Sequence, residues 1–332
     1  MRGEEVIIGI DGGGRVGFGH ASRASVLARS LERRGAKVTV ALRGDYDAAR
    51  WIRARGCRSL IHGEVPYRPG AIVILDRRGG AGKAEAESIT RWSRLLVTID
   101  DASPARFIAD LVFDPWKDPA AGPVPQRMRG RWFRGLKYAI VDPRFTSLST
   151  TARWKRRTPR LLVTLGGSDP WRITERVLES LSRLSERVVV DCVEVPSISR
   201  QQASSSQAVA MHRRPQWLGP LLRRADLAVV GFGVTVVKCL AAGVPCLTVC
   251  HARRDVPVAR ALADRGLLAL LGAGRRAGAG AGLAVERLLE EPGRLRALSE
   301  RGVQAVDGRS VERIIDLLGA RSRARMWSAG LR

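Results

Sequence analysis

The 332-residue sequence lacks any long hydrophobic run, because charge or glycine interrupts each of its apolar stretches. None of them reaches the roughly 20 residues that a helix needs to cross a bilayer, so we expect no membrane span. The first apolar run, residues 6–10, follows two glutamates and is too short for a secretory signal. We therefore expect a cytoplasmic protein.

Cysteine is scarce, and no C-x-x-C pair occurs among the five cysteines. An odd number of cysteines without a secretory signal indicates free thiols in a reducing compartment. His251 beside Cys250 is the one hint of metal ligands, but this cysteine ends an apolar run and is typical of a buried strand. We predict no metal and no cofactor.

Acidic residues are few relative to basic ones: 32 Asp and Glu stand against 57 Lys and Arg, a formal net charge of +25. This balance allows nucleic acid, acidic lipid or a phosphorylated small substrate as a partner. The basic residues are spread along the chain without a run of five, which does not favour nucleic acid. The segment RMRGRWFR at 127–134 keeps nucleic-acid binding open as an alternative.

Apolar runs of strand length alternate with segments of helical periodicity, which predicts right-handed βαβ units and parallel sheets. The predicted strands cover residues 6–10, 37–42, 71–75, 95–99, 160–165, 188–193, 227–230 and 244–249. The predicted helices cover residues 20–34, 46–55, 83–94, 171–184, 217–224, 231–242, 257–265, 283–291, 295–306 and 311–320.

Three segments interrupt this alternation and suggest the domain organisation. Residues 115–134 lack periodicity, residues 146–159 are polar, basic and proline-ended, and residues 272–282 read as a glycine–alanine linker. A further serine-rich stretch, 197–207, predicts a loop or a frayed helix. We expect an N-terminal Rossmann-like domain at 1–148, a C-terminal Rossmann-like domain at 159–320 and a tail at 321–332. Two such sheets would face each other across a cleft and bind ligands beyond the carboxyl ends of their strands.

The loop after the first strand reads GGGRVGFGH and is suited to an anion, because glycines let backbone N–H groups approach it before a helix N-terminus. Gly12, Gly14 and Gly17 also satisfy the G-x-G-x-x-G pattern of dinucleotide-binding oxidoreductases. That alternative needs a ribose-binding acid after the second strand, where Arg43 and then Asp45 occur. Since Arg43 suits a 2′-phosphate, an NAD(P)-binding protein stays open.

His20 distinguishes this loop. An imidazole at a helix start beside an anion-binding loop is placed to take a proton from water or from a sugar hydroxyl. The helix N-terminus disfavours the protonated ring and so leaves it free to act as a base. The alternative is a surface or capping histidine.

Two further loops of the same kind connect a strand to a helix: LGGSDP at 165–170 and GFGVT at 231–235. Ser168 or Asp169 is expected to cap the helix of the first. Thr235 and free backbone N–H groups in the second are suited to a diphosphate.

Carboxylates stand at the ends of two predicted strands, Asp76 after the third and the pair Asp100-Asp101 after the fourth. Such residues point toward the ligand-binding edge of a parallel sheet, although they are equally frequent helix caps.

The run VGFGH-x-x-R-x-x-x-LA-x-x-L from residue 16 resembles the start of pseudaminic-acid-pathway nucleotide-sugar hydrolases and of spore-coat-polysaccharide glycosyltransferase-like proteins. The further matches, in order, are IDD at 99–101, G-x-KY-x-x-x-x-P-x-F at 135–145, LGGSDP at 165–170 and GVP at 243–245. This resemblance spans about 270 residues, and its motifs are co-linear.

The resemblance implies a two-domain GT-B fold similar to the lipid II-forming glycosyltransferase, with the nucleotide mainly on the C-terminal domain. It implies that His20 is the catalytic base and that Gly166, Gly167 and Ser168 lie near the diphosphate. In the hydrolases, water displaces the nucleotide at the anomeric carbon.

Five positions depart from the family pattern. Lys238 stands where a glutamate accepts the ribose hydroxyls, and Val234 replaces a small hydroxylic residue. Arg254 and Asp255 replace an Asn-Gln pair, and Arg78 replaces an aromatic residue of the hydrolases. A lysine donates hydrogen bonds only, so Lys238 is suited to a phosphate rather than to ribose hydroxyls.

We predict an enzyme that hydrolyses or transfers the glycosyl group of a UDP-linked amino sugar, for surface polysaccharide or nonulosonic-acid biosynthesis, as a monomer or homodimer. The alternative is a GT-B relative that binds nucleotide or sugar without turnover. The predicted catalytic residues are His20, Asp76 and Asp101. The predicted substrate-binding residues are Gly17, Gly19, Arg23, Gly166, Gly167, Ser168, Gly233, Thr235, Lys238 and Asp255.

Overall fold

The computed structural model describes residues 1–13, 17–61, 65–77, 79–120, 122–148, 158–167, 169, 171–194, 208–213 and 217–330, with side chains up to residue 325. The chain divides into two compact units, Met1–Ile140 with Arg309–Arg332 and Val141–Gly308. Each contains one parallel sheet flanked by helices, so the predicted α/β class with two Rossmann-like domains is confirmed.

The first domain has a seven-stranded parallel sheet with the order β3-β2-β1-β4-β5-β6-β7. Its central strands are buried along almost their whole length, which explains their Val- and Ile-rich runs. The strands are β1 Glu5–Gly12, β2 Lys37–Gly44, β3 Ser59–Ile61, β4 Ile72–Asp76, β5 Leu95–Ile99, β6 Leu111–Asp114 and β7 Arg131–Arg134. The helices between them are α1 Gly19–Arg33, α2 Tyr46–Arg53, α3 Lys83–Trp92 and α4 Ala105–Ile108.

The second domain has a six-stranded parallel sheet with the order β10-β9-β8-β11-β12-β13. Its strands are β8 Arg160–Thr164, β9 Val189–Val193, β10 Ala208–His212, β11 Leu227–Gly231, β12 Cys246–Cys250 and β13 Ala269–Ala273. Its helices are α5 Ile173–Leu181, α6 Gly219–Arg224, α7 Val234–Ala241, α8 Val256–Asp264, α9 Gly274–Ala279, α10 Ala281–Leu289 and α11 Pro292–Ala305.

The last helix, α12 Ser310–Gly330, groups with the first domain, so the division differs from the expected domains at 1–148 and 159–320 and tail at 321–332. Its apolar residues Val311, Ile314, Ile315 and Leu318 belong to the first domain's core. The amphipathic pattern of α12 predicts a buried face, but it carries no information on which sheet that face meets.

Two expectations of the sequence pattern were wrong. The glycine–alanine segment 272–282 is largely helical, as α9 and the start of α10, because buried Gly278, Ala281 and Gly282 allow close packing near α5. The segment 115–134 ends in strand β7, where Trp132 and Phe133 pair with β6. The predicted loop at 197–207 lies outside the described residues, as do positions 149–157 of the expected linker. Within the described part of the chain, no helix is both long and apolar enough to span a membrane.

Candidate active site

The carboxyl ends of β1, β4 and β5 bring charged side chains together at one edge of the first sheet, beside the start of α1. Asp76 is the last residue of β4, and Asp100 directly follows β5. His20 and Arg23 lie one turn apart on α1 and therefore share a face of that helix. These four side chains form a hydrogen-bonded group, which we call the His20 cluster.

His20 is bound to Asp76 within this cluster. The Nδ1 atom of His20 lies 2.7 Å from Asp76 Oδ1, and the side chains are 14% and 2% exposed. The same nitrogen lies 3.0 Å from Nη2 of Arg23, which is itself only a donor. Because Nδ1 cannot accept from a guanidinium while it donates to a carboxylate, the shorter contact assigns its proton to the bond with Asp76. The lone pair of the neutral ring is then on Nε2, where the described residues supply no hydrogen-bond partner.

Arg23 fixes the carboxylate of Asp76 by two hydrogen bonds, Nε to Oδ2 at 2.9 Å and Nη2 to Oδ1 at 2.6 Å. The guanidinium is 6% exposed, so this bidentate pair is strong and geometrically specific. Burial alone would raise the pKa of Asp76, but the charges of Arg23 and His20 outweigh it and hold the pKa well below its usual range. Asp76 is therefore ionised whenever the protein is folded near neutral pH.

Asp100 is the fourth member of the cluster and accepts a hydrogen bond from Nη1 of Arg23 at 3.0 Å. Its backbone has a φ of 55°, which is uncommon for a residue other than glycine. The side chain of Trp116 also donates a hydrogen bond to Asp100. Burial raises the pKa of Asp100, Arg23 lowers it and Asp76 raises it again, so that it lies above the usual range.

Asp101, the predicted catalytic residue of the pair, makes different contacts. Its Oδ1 accepts the backbone N–H of Ser103 at 2.7 Å, and its Oδ2 is buried without a hydrogen-bond partner among the described residues. Burial raises the pKa of Asp101 as well. The structure thus joins Asp100 to the His20 cluster and assigns Asp101 to the turn that precedes α4.

The loop before α1 is closed by two backbone hydrogen bonds between Gly13 and Gly17, of 3.3 and 2.7 Å. Both glycines have positive φ, and a side chain at Gly13 would collide with Asp45. Gly19 is the first residue of α1, whose N-terminus has no side-chain cap. The uncapped end keeps its backbone donors suited to an anion, as the sequence predicts.

The residues that an NAD(P) site would use at the end of β2, Arg43 and Asp45, make other contacts. Arg43 donates to both carboxylate oxygens of Asp11 at 2.8 and 3.1 Å. Asp45 accepts the backbone N–H of Ala48 at 2.9 Å and caps α2. Neither side chain is left facing a dinucleotide ribose, which weakens the oxidoreductase interpretation.

In the second domain, the loop after β8 begins with Gly166, at a φ of 101°, and Gly167. Ser168 lies outside the described residues. Asp169 is buried and accepts the backbone N–H groups of Ile173 and Thr174, each at 2.8 Å, so it caps α5. Asp169 is therefore the helix cap that the sequence predicts for this loop.

The loop between β11 and α7 lies beside the first, since β8 and β11 are neighbours in the sheet. Gly233 has a φ of 141° and stands before α7, whose N-terminus has no side-chain cap. His251, at the end of β12, contacts Leu165 O through Nε2 at 2.5 Å. A β-carbon on Gly231 would approach both of these atoms, at 2.6 Å from Leu165 O and 2.8 Å from His251 Nε2. The sequence indicated His251 only as a possible metal ligand, and no local pattern signals its packing against Leu165 and Gly231.

The remaining predicted substrate-binding residues are on the same domain. Thr235 and Lys238 are half-buried on α7, and Lys238 Nζ lies 5.8 Å from the centre of the Phe145 ring. Asp255 precedes α8, and its carboxylate is 3.9 Å from Arg254 Nε. Within the described ranges, no group of three or more His, Cys, Asp or Glu side chains could hold a metal ion.

Comparison with known proteins defines the fold class, while no family model matches the sequence. The solved structures that resemble this chain include MurG from Acinetobacter baumannii, with a TM-score of 0.63 at 14% identity over 96% of this chain and 99% of that one. They also include UDP-GlcNAc 2-epimerase from Neisseria meningitidis bound to UDP-GlcNAc, with a TM-score of 0.61 at 10% identity over 95% and 99%. The chain therefore has the two-domain Rossmann-like fold that GT-B glycosyltransferases and such epimerases share.

Two curated relatives extend the comparison to sequence. The spore coat polysaccharide biosynthesis protein SpsG of Bacillus subtilis (strain 168) is 22% identical over 338 residues, 93% of this chain and 96% of SpsG. An uncharacterized protein of Methanocaldococcus jannaschii is 22% identical over 272 residues, and the chain spans about half of its length, 54%. The predicted similarity to spore-coat-polysaccharide proteins is confirmed at this level of identity.

Proposed function

We propose that the protein is an enzyme that processes a nucleotide sugar, with His20 as the base that activates the nucleophile. The observation that carries this proposal is the 2.7 Å contact between His20 Nδ1 and a carboxylate that Arg23 holds at both oxygens. A fixed tautomer with a free Nε2 lone pair is what a general base requires. The cluster lies at the edge of a parallel sheet where ligands of such folds bind.

The reaction follows from these groups. As Nε2 takes the proton of a water or an acceptor hydroxyl, the oxygen bonds to the anomeric carbon and the nucleotide leaves with the electron pair of the broken C–O bond. The ionised carboxylate of Asp76 stabilises the imidazolium that forms. In the second domain, backbone N–H groups at Gly166, Gly167 and Gly233, together with Thr235, are suited to the phosphates of a nucleotide.

The relatives support a substrate class. The name of SpsG supports a role in surface polysaccharide biosynthesis, and the epimerase bound to UDP-GlcNAc supports a UDP-linked amino sugar as the donor. Water as the nucleophile would make the protein a hydrolase of the kind that the pseudaminic-acid resemblance implies, whereas a sugar hydroxyl would make it a glycosyltransferase. The cytoplasm is where we expect it to act.

A second candidate is a nucleotide- or sugar-binding protein without turnover. Lys238 favours it, because an ammonium group cannot accept hydrogen bonds from ribose hydroxyls at the position where the resembled family has a glutamate. The half-buried position of Lys238 beside Phe145 is equally suited to a phosphate of the ligand.

The experiment combines the purified protein with UDP-, GDP- and CMP-sugars, with and without sugar acceptors, and measures nucleotide release. His20→Asn is the informative variant, because an asparagine amide can still donate to Asp76 from about the position of Nδ1 but cannot act as a base. His212→Gln is its matched control: His212 contacts Asp191 through Nε2 at 2.8 Å, and Arg224 holds that carboxylate as Arg23 holds Asp76.

We expect His20→Asn to lose about 10²- to 10⁴-fold in turnover and His212→Gln to retain the parent rate. A folded His20→Asn protein as active as the parent would remove His20 from the mechanism. Thermal stabilisation by a nucleotide without any turnover in the parent would instead establish the binding protein.

A further inference from the structure

The His20 cluster contains more negative charge than the His20–Asp76 pair requires. Arg23 donates to two carboxylates, Asp76 through Nε and Nη2 and Asp100 through Nη1. One positively charged guanidinium is thus paired with two negatively charged carboxylates when both are ionised. With neutral His20 these four groups sum to −1, and with His20 protonated they sum to zero.

Without the charge of Asp100, each of the two sums is more positive by one. Arg23 would cancel Asp76, the cluster would be neutral with a neutral imidazole, and it would carry +1 after His20 took a proton. In a site that is mostly withdrawn from water, an uncompensated positive charge opposes protonation of the ring. The second carboxylate therefore decides how well Asp76 can stabilise the imidazolium.

Asp100 is held in position from several sides. Arg23 and His20 face it from α1, Asp76 from β4 and Asp114 from the end of β6, and the Trp116 side chain donates to its carboxylate. Its backbone N–H donates to Phe113 O at 2.8 Å, and its φ of 55° is retained although the residue is not glycine. The side chain is 28% exposed, against 2% for Asp76, so it is the more accessible carboxylate of the cluster.

The second domain gives a contrast at a similar His–Asp–Arg group. There His212 and Arg224 contact Asp191 much as His20 and Arg23 contact Asp76. The further charged group near Asp191 is Arg160, whose Nη1 lies 3.7 Å from Oδ2. Beside this shared His–Asp–Arg arrangement, the second domain has an additional guanidinium, from Arg160, and the first domain has an additional carboxylate, from Asp100. The first domain is the one in which we propose the catalytic base.

We propose that Asp100 is a positioning residue that acts through Arg23: it neutralises the guanidinium and so leaves the charge of Asp76 available to the protonated ring of His20. This inference deepens the proposed function, on which it rests for the role of His20. The Asp-Asp pair after β5 thereby has two distinct tasks, since Asp101 binds the turn at Ser103.

Burial raises the pKa of Asp100 and outweighs the lowering effect of Arg23, and the charge of Asp76 raises it further. As the pH falls, Asp100 takes up a proton before an ordinary aspartate does, and the cluster loses its second negative charge. Activity that depends on His20 should therefore decline in acid as protonated Asp100 ceases to compensate the charge of Arg23.

The test follows the His20 ring directly and needs no enzymatic activity. The carbon-bound ring protons of histidine-labelled protein are titrated by NMR, and His20→Asn identifies the His20 signal. Asp100→Asn and Asp100→Gly both remove the charge and both tolerate the positive φ, so one of them serves if the other does not fold. Asp316→Asn, an equal loss of charge on the exposed face of α12, is the control.

We expect the His20 titration to move to lower pH by about one unit in the Asp100 variants and to stay unchanged in Asp316→Asn. The acidic limb of the kcat/KM profile should move with it, which a merely structural role would not produce. A His20 titration that coincides with the parent curve in a folded Asp100 variant overturns the inference. A shifted titration in a protein that turns over none of the nucleotide sugars supports the role of Asp100 and rejects the proposed function instead.

Discussion

Gly231 and His251 lie so close together that a β-carbon on Gly231 would be 2.8 Å from His251 Nε2. The same carbon would be 2.6 Å from the carbonyl oxygen of Leu165, which His251 contacts. These contacts join the ends of β8, β11 and β12, where the two glycine loops of the second domain begin. Residue size at position 231 is therefore coupled to the shape of both loops.

Gly231→Ala should weaken nucleotide binding by tenfold or more, because His251 and the backbone of Leu165 must move to admit a methyl group. Isothermal titration with UDP measures the change. Gly293→Ala on α11 has open space at its β-carbon and serves as the matched control, with unaltered binding expected. Equal affinities in the two variants would contradict the coupling.

Arg23→Lys should destabilise the protein, because a lysine cannot bond both oxygens of Asp76 and still reach Asp100. We expect the free energy of unfolding to fall by about 2 kcal/mol, the scale of hydrogen bonds to buried charged groups. Urea denaturation followed by circular dichroism measures it. Arg50→Lys, on the exposed surface of α2, should change the midpoint little, and similar midpoints for both variants would argue against a buried bidentate pair.

Asp76 should make the protein sensitive to acid. Its pKa is lowered in the folded state, mainly because Arg23 and His20 outweigh the effect of burial. Ionised Asp76 therefore stabilises the fold above the unfolded-state pKa of about 4, and this contribution is lost as the pH falls further. The parent should lose about 2 kcal/mol more than Asp76→Asn between pH 5 and pH 2 in urea denaturation. Parallel curves for the two proteins would contradict the assignment.

The cysteines should be unreactive in the folded protein. All five are free and buried, and burial raises the pKa of Cys192 and of Cys250 to about 12. Almost no thiolate exists at these two residues at pH 8, and burial shields the other three from the reagent. A disulfide reagent such as dithionitrobenzoate should therefore release little colour from the native protein and five equivalents in guanidinium chloride. A rapid equivalent in the native state would show an accessible thiolate.

Much of the fold could be predicted because its strands are buried on both faces and read as apolar runs. The short strands β3 and β10 were not predicted, since three to five residues are too few to show a strand period. Helix α9 was not predicted, because glycine has a low intrinsic propensity for helices. Its glycine at position 278 is explained by close packing against α5. Packing against a distant element is not encoded in local periodicity.

For the candidate site, the sequence indicated His20 and Asp76, because a strand-end carboxylate and the first turn of a helix meet at one sheet edge. Arg23 was predicted only as a substrate-binding residue, within the motif that carries the family resemblance. The sequence could not separate Asp100 from Asp101. That difference depends on a positive φ at Asp100, which turns one carboxylate toward Arg23 and leaves the other with Ser103. The roles of Asp11 and His251 also depend on contacts between separate strands.

The position of α12 has a consequence for how the chain is made. Val311, Ile314, Ile315 and Leu318 complete a core whose other members are encoded in the first 140 residues. A ribosome that has finished those residues has therefore not yet supplied the covering helix. The second domain, whose residues are contiguous, is synthesised before the helix that covers the first domain's core. The nascent chain therefore carries an unfinished apolar surface while residues 141–309 are added.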